Sequence, residues 1–526
     1  MPEQGHILGI EGTAWNLSAA LFGDDDVISL YSSPYQPPSG GIHPREAAQH
    51  HASKMKEVVS AVIGDPSAIR AVAFSQGPGL GPCLRTVGTA ARALALALDV
   101  PLVGVNHCVA HVEVGRWACG CDDPITLYAS GANTQVLGFL GKRYRIFGET
   151  LDIGIGNGLD KFARSKGMTH PGGPQIEALA RTGDPIDLPY TVKGMDLAFS
   201  GLISAASSSP AALPDVCAGL QETAFAMCVE VTERALAHSG KDEVLLVGGV
   251  GANGRLQEML ATMCEERGAS FYVPPRKYIG DNGAMIAYTG KIMLEAGATL
   301  AIGDSAVNAG YRSDEVEVTW RTGDGHAAFV RADAMADAGA RGAEALVTRR
   351  GPDVVKRRLS KGYRTPRLDA RLIAERTRAE ARLIAAARKA GVATPVIRDV
   401  THDSIVMEYI EGAMLKRVLS PPGVERAGEM VGRMHAAGII HGDLTTSNII
   451  MRGEVPVFID FGLSFVSRET EARGVDVHVF FQTLESTTRD YERLSRAFRD
   501  GYAAATDDAD EVFERVEEIR MRGRYL

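Results

Sequence analysis

The chain has 526 residues, of which 45% are hydrophobic and 23% charged, and its net charge is −9. This composition is typical of a globular protein and excludes a collagen-like or disordered chain. At about 150 residues per domain, the length predicts three to four domains or lobes.

The composition changes abruptly near residue 330. Residues 1–330 hold 24 Lys and Arg against 35 Asp and Glu, together with all seven cysteines and all three tryptophans, whereas residues 331–526 hold 32 against 30. This break predicts two differently built halves in one chain. The odd number of irregularly spaced cysteines argues against a disulfide framework and predicts reduced, mostly buried thiols.

The first half alternates strand-like and helix-like segments, which predicts an α/β fold with loops of nucleotide-binding type at the strand ends. The expected strands are Ile7–Glu11, Ser18–Phe22, Ala71–Ser75, Val100–Val105, Ile125–Ser130, Gln135–Leu140, Tyr144–Thr150 and Val244–Val247. The expected helices are Ala47–Ile63, Thr86–Leu98, Val109–Trp117 and Leu220–His238, with a Gly/Pro-rich loop at Gly77–Pro82.

The second half has a different pattern. We place a linker at residues 323–332, between domains at 1–322 and 333–526, because the surrounding Ala/Asp/Gly-rich stretch is weakly patterned. After a glycine loop, the predicted elements are the strand Asp353–Leu359, the helix Pro366–Ala390 and the strands Val396–Val400 and Ser404–Tyr409, followed by a mainly helical remainder. No positively charged start precedes an apolar run, and no stretch approaches the ~20 apolar residues of a membrane span, so we expect a cytoplasmic chain with no membrane partner.

Three strand-to-glycine-loop junctions occur in order along the first half. They are Gly9-Ile10-Glu11-Gly12-Thr13, the segment from Leu127 to Gln135, and Val247-Gly248-Gly249-Val250-Gly251-Ala252-Asn253. Backbone N–H groups at such turns cradle phosphate oxygens, and glycine allows the ligand to approach closely. Each junction alone is more often structural, but the three together resemble the phosphate and adenosine loops of the actin/sugar-kinase ATPase fold, with Glu11 where many members have Asp.

Two histidines, His107 and His111, are separated by three residues. In a helix this spacing puts both imidazoles on one face, as a metal site requires, although two surface or core histidines are equally compatible with it. No Glu follows His107, so the metalloprotease signature is absent. Tyr128 and Asp281 are candidate oxygen ligands that the spacing alone does not select.

The first half resembles, over residues 1 to about 322, the universal tRNA N6-adenosine threonylcarbamoyltransferase family in its archaeal/eukaryotic KEOPS form. The segments that carry the resemblance are Gly77-Pro78-Gly79-Leu80-Gly81, His107-x3-His111, the Tyr128–Gln135 loop, Gly156-Asn157-Gly158-Leu159-Asp160-Lys161, His170-Pro171-Gly172-Gly173-Pro174, Phe199-Ser200-Gly201-Leu202, Gly248–Asn253 and Gly280–Ile286. The resemblance implies a two-lobed actin/sugar-kinase-like fold.

The resemblance also implies which residues bind a metal ion and which bind the substrate. One iron or zinc ion would be held by His107, His111, Tyr128 and Asp281. Threonylcarbamoyl-adenylate would be held by Tyr128, Ala129, Ser130, Gly131, Ala132, Asp160, Gly173, Glu177 and Asn253. For Asp160, capping of a helix is the alternative to orienting ribose hydroxyls.

In the second half, an Asp-x4-Asn pattern is followed by Asp-Phe-Gly at protein-kinase spacing. Asp443 is the candidate catalytic base, and Asn448 and Asp460 are the candidate magnesium ligands. Lys356 ends a strand, as a phosphate-pairing lysine does, and Glu380 is its expected partner, with Glu375 as the alternative.

Residues 333–526 resemble the small atypical serine/threonine kinase/ATPase of the KEOPS complex, with a bilobal α+β kinase fold. The segments that carry this resemblance include Lys361-Gly362-Tyr363-Arg364, Arg376–Arg382, Met407–Gly412 and Arg522–Leu526. The implied ATP-binding residues are Gly339, Gly342, Lys356, Glu380 and Glu408. Gly442 replaces the usual Arg, Glu344 stands where a third loop glycine would be, and no Ala-Pro-Glu segment follows, which favours ATP hydrolysis over phosphorylation of protein substrates.

The predicted function is therefore transfer of a threonylcarbamoyl group to N6 of the adenosine beside the tRNA anticodon, supported by the kinase-like ATPase. The resemblance implies tRNA and two small accessory KEOPS subunits as partners, one dimerising on the transferase half and one contacting the kinase half. Basic residues in Arg364–Lys389 and Arg520–Arg524 would form local patches for tRNA phosphates, or else an ion-paired helix surface. The alternative function is an ATP-dependent phosphotransferase or signalling kinase with an N-terminal nucleotide-binding scaffold.

Overall fold

The computed structural model describes residues 5–37, 41–322, 340–341, 344–488 and 490–525. These residues form two compact units. One contains the described residues up to 322 together with Gly362–Arg364, and the other contains the remaining described residues. No described helix combines the length and the apolar character needed to cross a lipid bilayer.

The first unit contains a five-stranded sheet, here called the first sheet. Its strands lie in the order Val27–Pro34, Asn16–Phe22, His6–Glu11, Ile69–Gly77 and Leu102–Asn106. The three strands that come first along the chain form an antiparallel meander. The other two extend the sheet in parallel pairing, so the glycine turn after Glu11 lies at the carboxyl edge of three parallel strands.

A second sheet repeats this topology. Its strands lie in the order Ser270–Tyr272, Glu243–Val247, Ile125–Ala129, Thr134–Leu140 and Arg143–Glu149. The meander is again antiparallel and the two added strands are again parallel. This duplicated arrangement confirms the predicted two-lobed α/β fold of actin/sugar-kinase type.

Helices pack against both sheets, and buried residues of strands and helices together form the hydrophobic cores. Those of the first lobe are Pro44–Val62, Gly81–Leu98 and Gly283–Glu295, and the main ones of the second are Ile155–Ser165, Leu213–Ser239 and Gly254–Arg267. The helix Gly283–Glu295 lies directly against the first strand, since a Cβ atom at Gly9 would come 2.2 Å from the backbone nitrogen of Ala287. This close approach brings the residues just before that helix beside the glycine turn of the first sheet.

Four helices of the first unit begin earlier than the sequence pattern predicted, and two of them differ most. The helix expected from Thr86 begins at Gly81, inside the expected loop, and the helix expected from Leu220 begins at Leu213. In both, a proline occupies the first turn, where its missing N–H leaves no helical hydrogen bond unmade. At Pro82 the proline thus lies in the first turn of a helix, although the sequence pattern was interpreted there as a loop.

The second unit begins with an antiparallel sheet. Its strands lie in the order Ala340–Arg341, Ala345–Arg350, Asp353–Arg358, Ser404–Glu408 and Ile397–Val400. The long helix Pro366–Lys389 is capped by Thr365, whose side chain accepts a hydrogen bond from the Leu368 N–H over 3.4 Å. The strand Ala345–Arg350 is absent from the sequence prediction, because its exposed half is rich in Thr and Arg.

The remainder of the second unit is helical around a small β structure. The helices are Pro421–Ala436, Thr470–Thr487, Tyr491–Ala503 and Ala509–Tyr525. The strands Ala413–Met414, Ile449–Arg452 and Val455–Phe458 form one small sheet, and Ile439–Ile440 pairs with Phe465–Val466. The sheet-plus-helix lobes confirm the predicted α+β kinase-like fold, while these short strands were missed in the segment expected to be mainly helical.

Candidate functional sites

The two histidines of the first unit lie on one face of a helix. The strand Leu102–Asn106 ends where the helix His107–Cys119 begins, and the Asn106 side chain caps it by accepting a hydrogen bond from the Val109 N–H over 3.1 Å. His107 and His111 are buried, and their ring centroids are 4.8 Å apart. The i, i+4 spacing therefore places both imidazoles on one face of the helix, towards the same space.

Asp281 lies in the same space, although it is 170 residues away from His111 in the sequence. Its Oδ1 atom lies 3.2 Å from Nε2 of His111 and 3.6 Å from Nε2 of His107. Asn16 holds the Asp281 backbone by donating its amide to the carbonyl oxygen over 2.8 Å, and Asn282 caps the helix that follows. One ligand atom from each of the three side chains lies within 4.8 Å of the other two, in the geometry of a metal site.

Tyr128 borders this cluster. It is buried on the strand Ile125–Ala129, with its ring centroid 5.1 Å from that of His111. Burial, with smaller contributions from Cys108 and Asp281, raises the pKa of Tyr128 well above its ordinary value. The phenol is therefore neutral in this environment, and a bound cation would favour its ionised form.

The ionisation of the cluster follows from its burial and from two carboxylates. Burial tends to lower the pKa of His107, but the charges of Glu11 and Asp281 raise it to about 9. Burial lowers the pKa of His111, and the positive charge of His107 adds to this effect. Burial tends to raise the pKa of Asp281, but the hydrogen bond with His111 and the charge of His107 lower it. Two carboxylates thus stabilise positive charge at a site that is otherwise shielded from water.

The loop that contains Ser130, Gly131 and Ala132 lies against the start of the helix Ile155–Ser165. The carbonyls of Ser130 and Gly131 accept hydrogen bonds from the N–H groups of Gly156 and Asn157 over 3.0 and 2.8 Å. A Cβ atom at Gly156 would lie 2.7 Å from the Ser130 carbonyl oxygen, so the close packing requires glycine there. Tyr128 and Ala129 lead directly into this loop, which begins beside the metal-type cluster.

Asp160 already has partners within the protein. Its Oδ1 accepts a hydrogen bond from the Gly172 N–H over 2.7 Å, and its Oδ2 lies 3.0 Å from Nδ1 of His170. Gly172 precedes the helix Gly173–Ala180, so Asp160 acts as a cap for a neighbouring helix. The structure therefore shows the capping alternative, and orientation of a ribose would have to share this carboxylate.

Glu177 and Asn253 lie at a second helix start. Glu177 accepts a hydrogen bond from the Gly254 N–H over 3.1 Å, and Asn253 accepts one from the Arg255 N–H over 2.9 Å. A Cβ atom at Gly173 would meet no atom within 4 Å, so its backbone is open to a ligand. The carboxylate of Glu177 and the amide of Asn253 are thus engaged with backbone N–H groups, and the adenylate site stays a prediction.

In the second unit, Lys356 lies between two carboxylates. Its Nζ is 2.5 Å from Oε1 of Glu380 and 2.7 Å from Oδ1 of Asp460. Burial tends to lower the pKa of Lys356, but the charges of Asp460 and Glu380 raise it, and the charge of Lys356 lowers the pKa of Asp460. Glu375 is exposed and lines a shallow cavity with Arg378 and Arg382, so the structure brings Glu380 to the lysine.

Asp443 and Asn448 are joined within the candidate catalytic loop. The Asn448 amide donates to the carbonyl oxygen of Asp443 and to its Oδ2, over 2.9 Å in each case. Asp476, which the sequence did not single out, accepts hydrogen bonds from the N–H groups of His441 and Gly442 over 2.7 and 2.9 Å. This buried carboxylate fixes the backbone that carries Asp443, and its distance in sequence from the Asp-x4-Asn pattern left no local signal.

Gly442 occupies the position of the usual arginine for a steric reason. Its φ is +77°, and a Cβ atom would lie 2.3 Å from the carbonyl oxygen of Leu463. Only glycine avoids both the left-handed strain and this overlap. The loop therefore differs in backbone conformation, and not only in charge, from one that carries a side chain at this position.

Two further charged residues join the lysine pair. Arg358 contacts Oε2 of Glu380 over 2.6 Å and Glu344 over 2.9 Å, and Arg376 contacts Glu344 over 3.3 Å. The acidic residue of the glycine loop is thus bound by arginines. Glu408 accepts a hydrogen bond from the Val396 N–H and pairs with Arg452, whereas Gly339 and Gly342 lie outside the described residues.

A duplicated two-lobed nucleotide-binding fold and a bilobal kinase-like fold define a chain with two nucleotide-handling modules. A family profile for tRNA N6-adenosine threonylcarbamoyltransferase matches residues 27–288, and a profile for the RIO domain matches residues 354–506. Over 527 residues the chain is 70% identical to a protein of Methanoculleus marisnigri, covering 100% of this chain and 99% of that protein.

Two further relatives match as completely. Proteins of Methanospirillum hungatei and Methanocorpusculum labreanum are 64% and 63% identical, with at least 99% of each chain covered. All of these relatives are named bifunctional tRNA threonylcarbamoyladenosine biosynthesis protein. The chain belongs to this family, in which a tRNA N6-adenosine threonylcarbamoyltransferase domain is fused to a RIO-type kinase domain, and the resemblance drawn from its motifs is confirmed.

Proposed function

We propose that residues 1–322 transfer the threonylcarbamoyl group from threonylcarbamoyl-adenylate to N6 of the adenosine beside the tRNA anticodon, and that residues 333–526 hydrolyse ATP in support of this reaction. The observation that carries the proposal is the convergence of His107, His111 and Asp281 beside Tyr128, whose strand leads into the loop at Ser130. The cluster of His107, His111 and Asp281 is thus next to the loop proposed to bind the adenylate.

The donor set fits one iron or zinc ion. Two imidazoles and a carboxylate lie in a buried space, with a phenol at its border, and both metals accept these ligands. His107, His111, Asp281 and Tyr128 would hold the ion, which when bound would act as a Lewis acid and template for the threonylcarbamoyl group. The carboxylates of Glu11 and Asp281, which raise the pKa of His107, support a site for positive charge.

The residues of the adenylate site would bind and orient the substrate. The backbone from Ala129 to Ala132, fixed on the helix start at Gly156, presents a rigid edge to the nucleotide, and the open backbone at Gly173 provides a second edge. Glu177 and Asn253 hold the second helix start in place. Such fixed positions keep the acyl carbon facing the incoming adenine, so that less orientational freedom is lost in the reaction.

In the kinase-like domain, Lys356 and Glu380 would position the ATP phosphates, Asn448 and Asp460 would hold Mg²⁺, and Asp443 would orient the attacking water. The contact of Lys356 with both carboxylates supports this assignment. Gly339, Gly342 and Glu408 are assigned to ATP binding by the resemblance.

The partners follow from the proposed reaction. We assign tRNA as the acceptor and two small accessory KEOPS subunits as partners, one dimerising on the transferase domain and one contacting the kinase-like domain. The proposed location is the cytoplasm, because this is where the proposed tRNA substrate is available.

The test combines purified full chain, threonylcarbamoyl-adenylate and tRNA, with accessory subunits and ATP added in separate reactions. Mass spectrometry of the digested tRNA should show the modified adenosine, and the double variant His107→Ala/His111→Ala should lose it. Asp443→Ala should lose ATP hydrolysis. Phosphate transfer to protein that requires Asp443, together with no modified adenosine from a metal-loaded chain, would instead support the signalling-kinase alternative.

A further inference from the structure

Glu11 is the last residue of the first strand and contacts His107 on the side of the ring that is away from Asp281. Its side chain is fully buried, and its Oε2 lies 3.1 Å from Nδ1 of His107. Its other oxygen, Oε1, accepts hydrogen bonds from the N–H of Thr13 over 2.7 Å and from the Thr13 hydroxyl over 2.6 Å. The glycine turn of the first sheet thus fixes a carboxylate against the ring of His107.

This contact determines which nitrogen of His107 faces the cluster. A carboxylate only accepts hydrogen bonds, so Nδ1 carries the proton that it donates to Glu11. Nε2, the atom that lies 3.6 Å from Oδ1 of Asp281, is then the nitrogen that a metal ion would bind in place of a proton. The ring is therefore oriented as a metal ligand requires.

His111 lacks an equivalent support among the described residues. Its Nδ1 is buried without a hydrogen-bond partner, while its Nε2 faces Asp281. Of the two imidazoles, therefore, only His107 has a carboxylate at its Nδ1, on the side away from Asp281, within the described part of the chain. A carboxylate behind a ligating histidine fixes the ring and raises its basicity, and loss of such a partner weakens metal binding.

We infer that Glu11, held by Thr13, is a positioning residue that orients His107 for metal binding, an inference that rests on the proposed metal site. The glycine turn after the first strand would then hold Glu11 in place through Thr13, in addition to any contact with phosphate. Because the carboxylate is engaged on both oxygens and fully buried, it acts through His107 and does not touch the substrate.

The experiment measures binding of Co²⁺ alone to the metal-free full chain in excess Mg²⁺, by chelator competition and by the visible d–d spectrum. Glu11→Gln should bind Co²⁺ about 10–100-fold more weakly and with an altered spectrum. Glu113→Gln is the matched control, since Glu113 is a buried carboxylate on the same helix as His107 and accepts hydrogen bonds from Tyr144 and Trp320. This control should keep the affinity and spectrum of the unsubstituted chain.

Each outcome separates the inference from the proposed site. If Glu11→Gln binds Co²⁺ with unchanged affinity and spectrum, Glu11 has no positioning role, whereas the metal site stands. If His107→Ala and His111→Ala do not alter Co²⁺ binding, the metal site itself is wrong, and the inference with it. Should Glu11→Gln fail to fold by circular dichroism, Glu11→Asp decides: the carboxylate is kept but withdrawn from His107, so weaker binding supports the role and unchanged binding overturns it.

Discussion

Arg358 contacts the same glutamate, Glu380, that pairs with Lys356. The Arg358 guanidinium lies 2.6 Å from one carboxylate oxygen of Glu380, and the lysine ammonium lies 2.5 Å from the other. The ion pair expected of a kinase is therefore part of a larger buried network that extends through Arg358 to Glu344. This network links the lysine to Glu344, the acidic residue of the predicted glycine loop.

Removal of Arg358 should disturb both stability and ATP turnover. Arg358→Met leaves Glu380 and Glu344 with one cation fewer, and breaking a buried pair costs about 3 kcal/mol or more. We expect a lower unfolding midpoint and a reduced kcat for ATP hydrolysis, measured by urea denaturation and phosphate release. Arg357→Met is the control: this neighbour on the same strand is 67% exposed and pairs with Asp403, so the change should stay below about 1 kcal/mol. Equal effects of the two substitutions would show that the contacts of Arg358 with Glu380 and Glu344 add nothing to stability or ATP hydrolysis beyond an exposed ion pair.

Gly442→Ala should destabilise the kinase-like domain more than another substitution at positive φ. Gly453 has a φ of +60° with no atom within 4 Å of an added Cβ, so Gly453→Ala carries the dihedral cost alone, about 1–2 kcal/mol. Gly442→Ala adds the overlap with the Leu463 carbonyl oxygen and displaces the backbone beside Asp443. Thermal denaturation should rank the two in this order, and only Gly442→Ala should reduce ATP hydrolysis. The opposite ranking would contradict the steric explanation.

His51 should make the stability of the transferase domain depend on pH. It is fully buried, and burial, followed by repulsion from His50, lowers its pKa from 6.5 to about 4. The unfolded chain therefore binds a proton before the folded one does, and stability is lost as the pH falls from 6.5 towards 4, by up to about 3 kcal/mol.

The pH effect is measured as a difference between variants. His51→Gln removes the titrating group, so the free energy of unfolding of the unsubstituted chain relative to this variant should fall between pH 7 and pH 4. His43→Gln, at an exposed position before the same helix, should leave the pH profile unchanged. Parallel profiles for the unsubstituted chain and His51→Gln would exclude the assignment.

Metal removal should separate the two activities. Treatment with 1,10-phenanthroline in excess Mg²⁺ strips iron or zinc from a His/Asp site but leaves Mg²⁺ for the kinase-like domain. We expect loss of the modified adenosine with unchanged ATP hydrolysis, and the same pattern for Asp281→Asn. Elemental analysis verifies the removal. Continued transfer by a verified metal-free chain would show that these ligands do not support the reaction.

Much of the local structure was predictable because it depends on neighbours in sequence. Short patterns predict the strand and turn around Glu11, the helical face shared by His107 and His111, and the strand that contains Lys356, although this strand continues to Arg358 and does not end at the lysine. Errors occurred where local signals conflict: Pro82 was taken for a loop residue, although proline also suits the first turn of a helix, and the helix that begins at Leu213 was expected only from Leu220.

The sites required more than short patterns. Asp281 is 170 residues from His111, and Glu11 is 96 residues from His107. A resemblance to a family selected Asp281, but nothing in the sequence pointed to the contact of Glu11 with His107. In the second unit, likewise, the resemblance supplied Lys356, Glu380 and Asp460, while Asp476 and Arg358 became evident only from their contacts.

The sequence by itself determined which residue types were present and how each short segment folds, since backbone hydrogen bonding and the period of apolar residues act over a few positions. It also determined the division into two chemically different halves, because composition is independent of folding. Only the tertiary structure decided which distant groups meet, such as Glu11 with His107 and Arg358 with Glu344. Those contacts depend on how sheets and helices pack, and their electrostatic effect arises from the burial that packing creates.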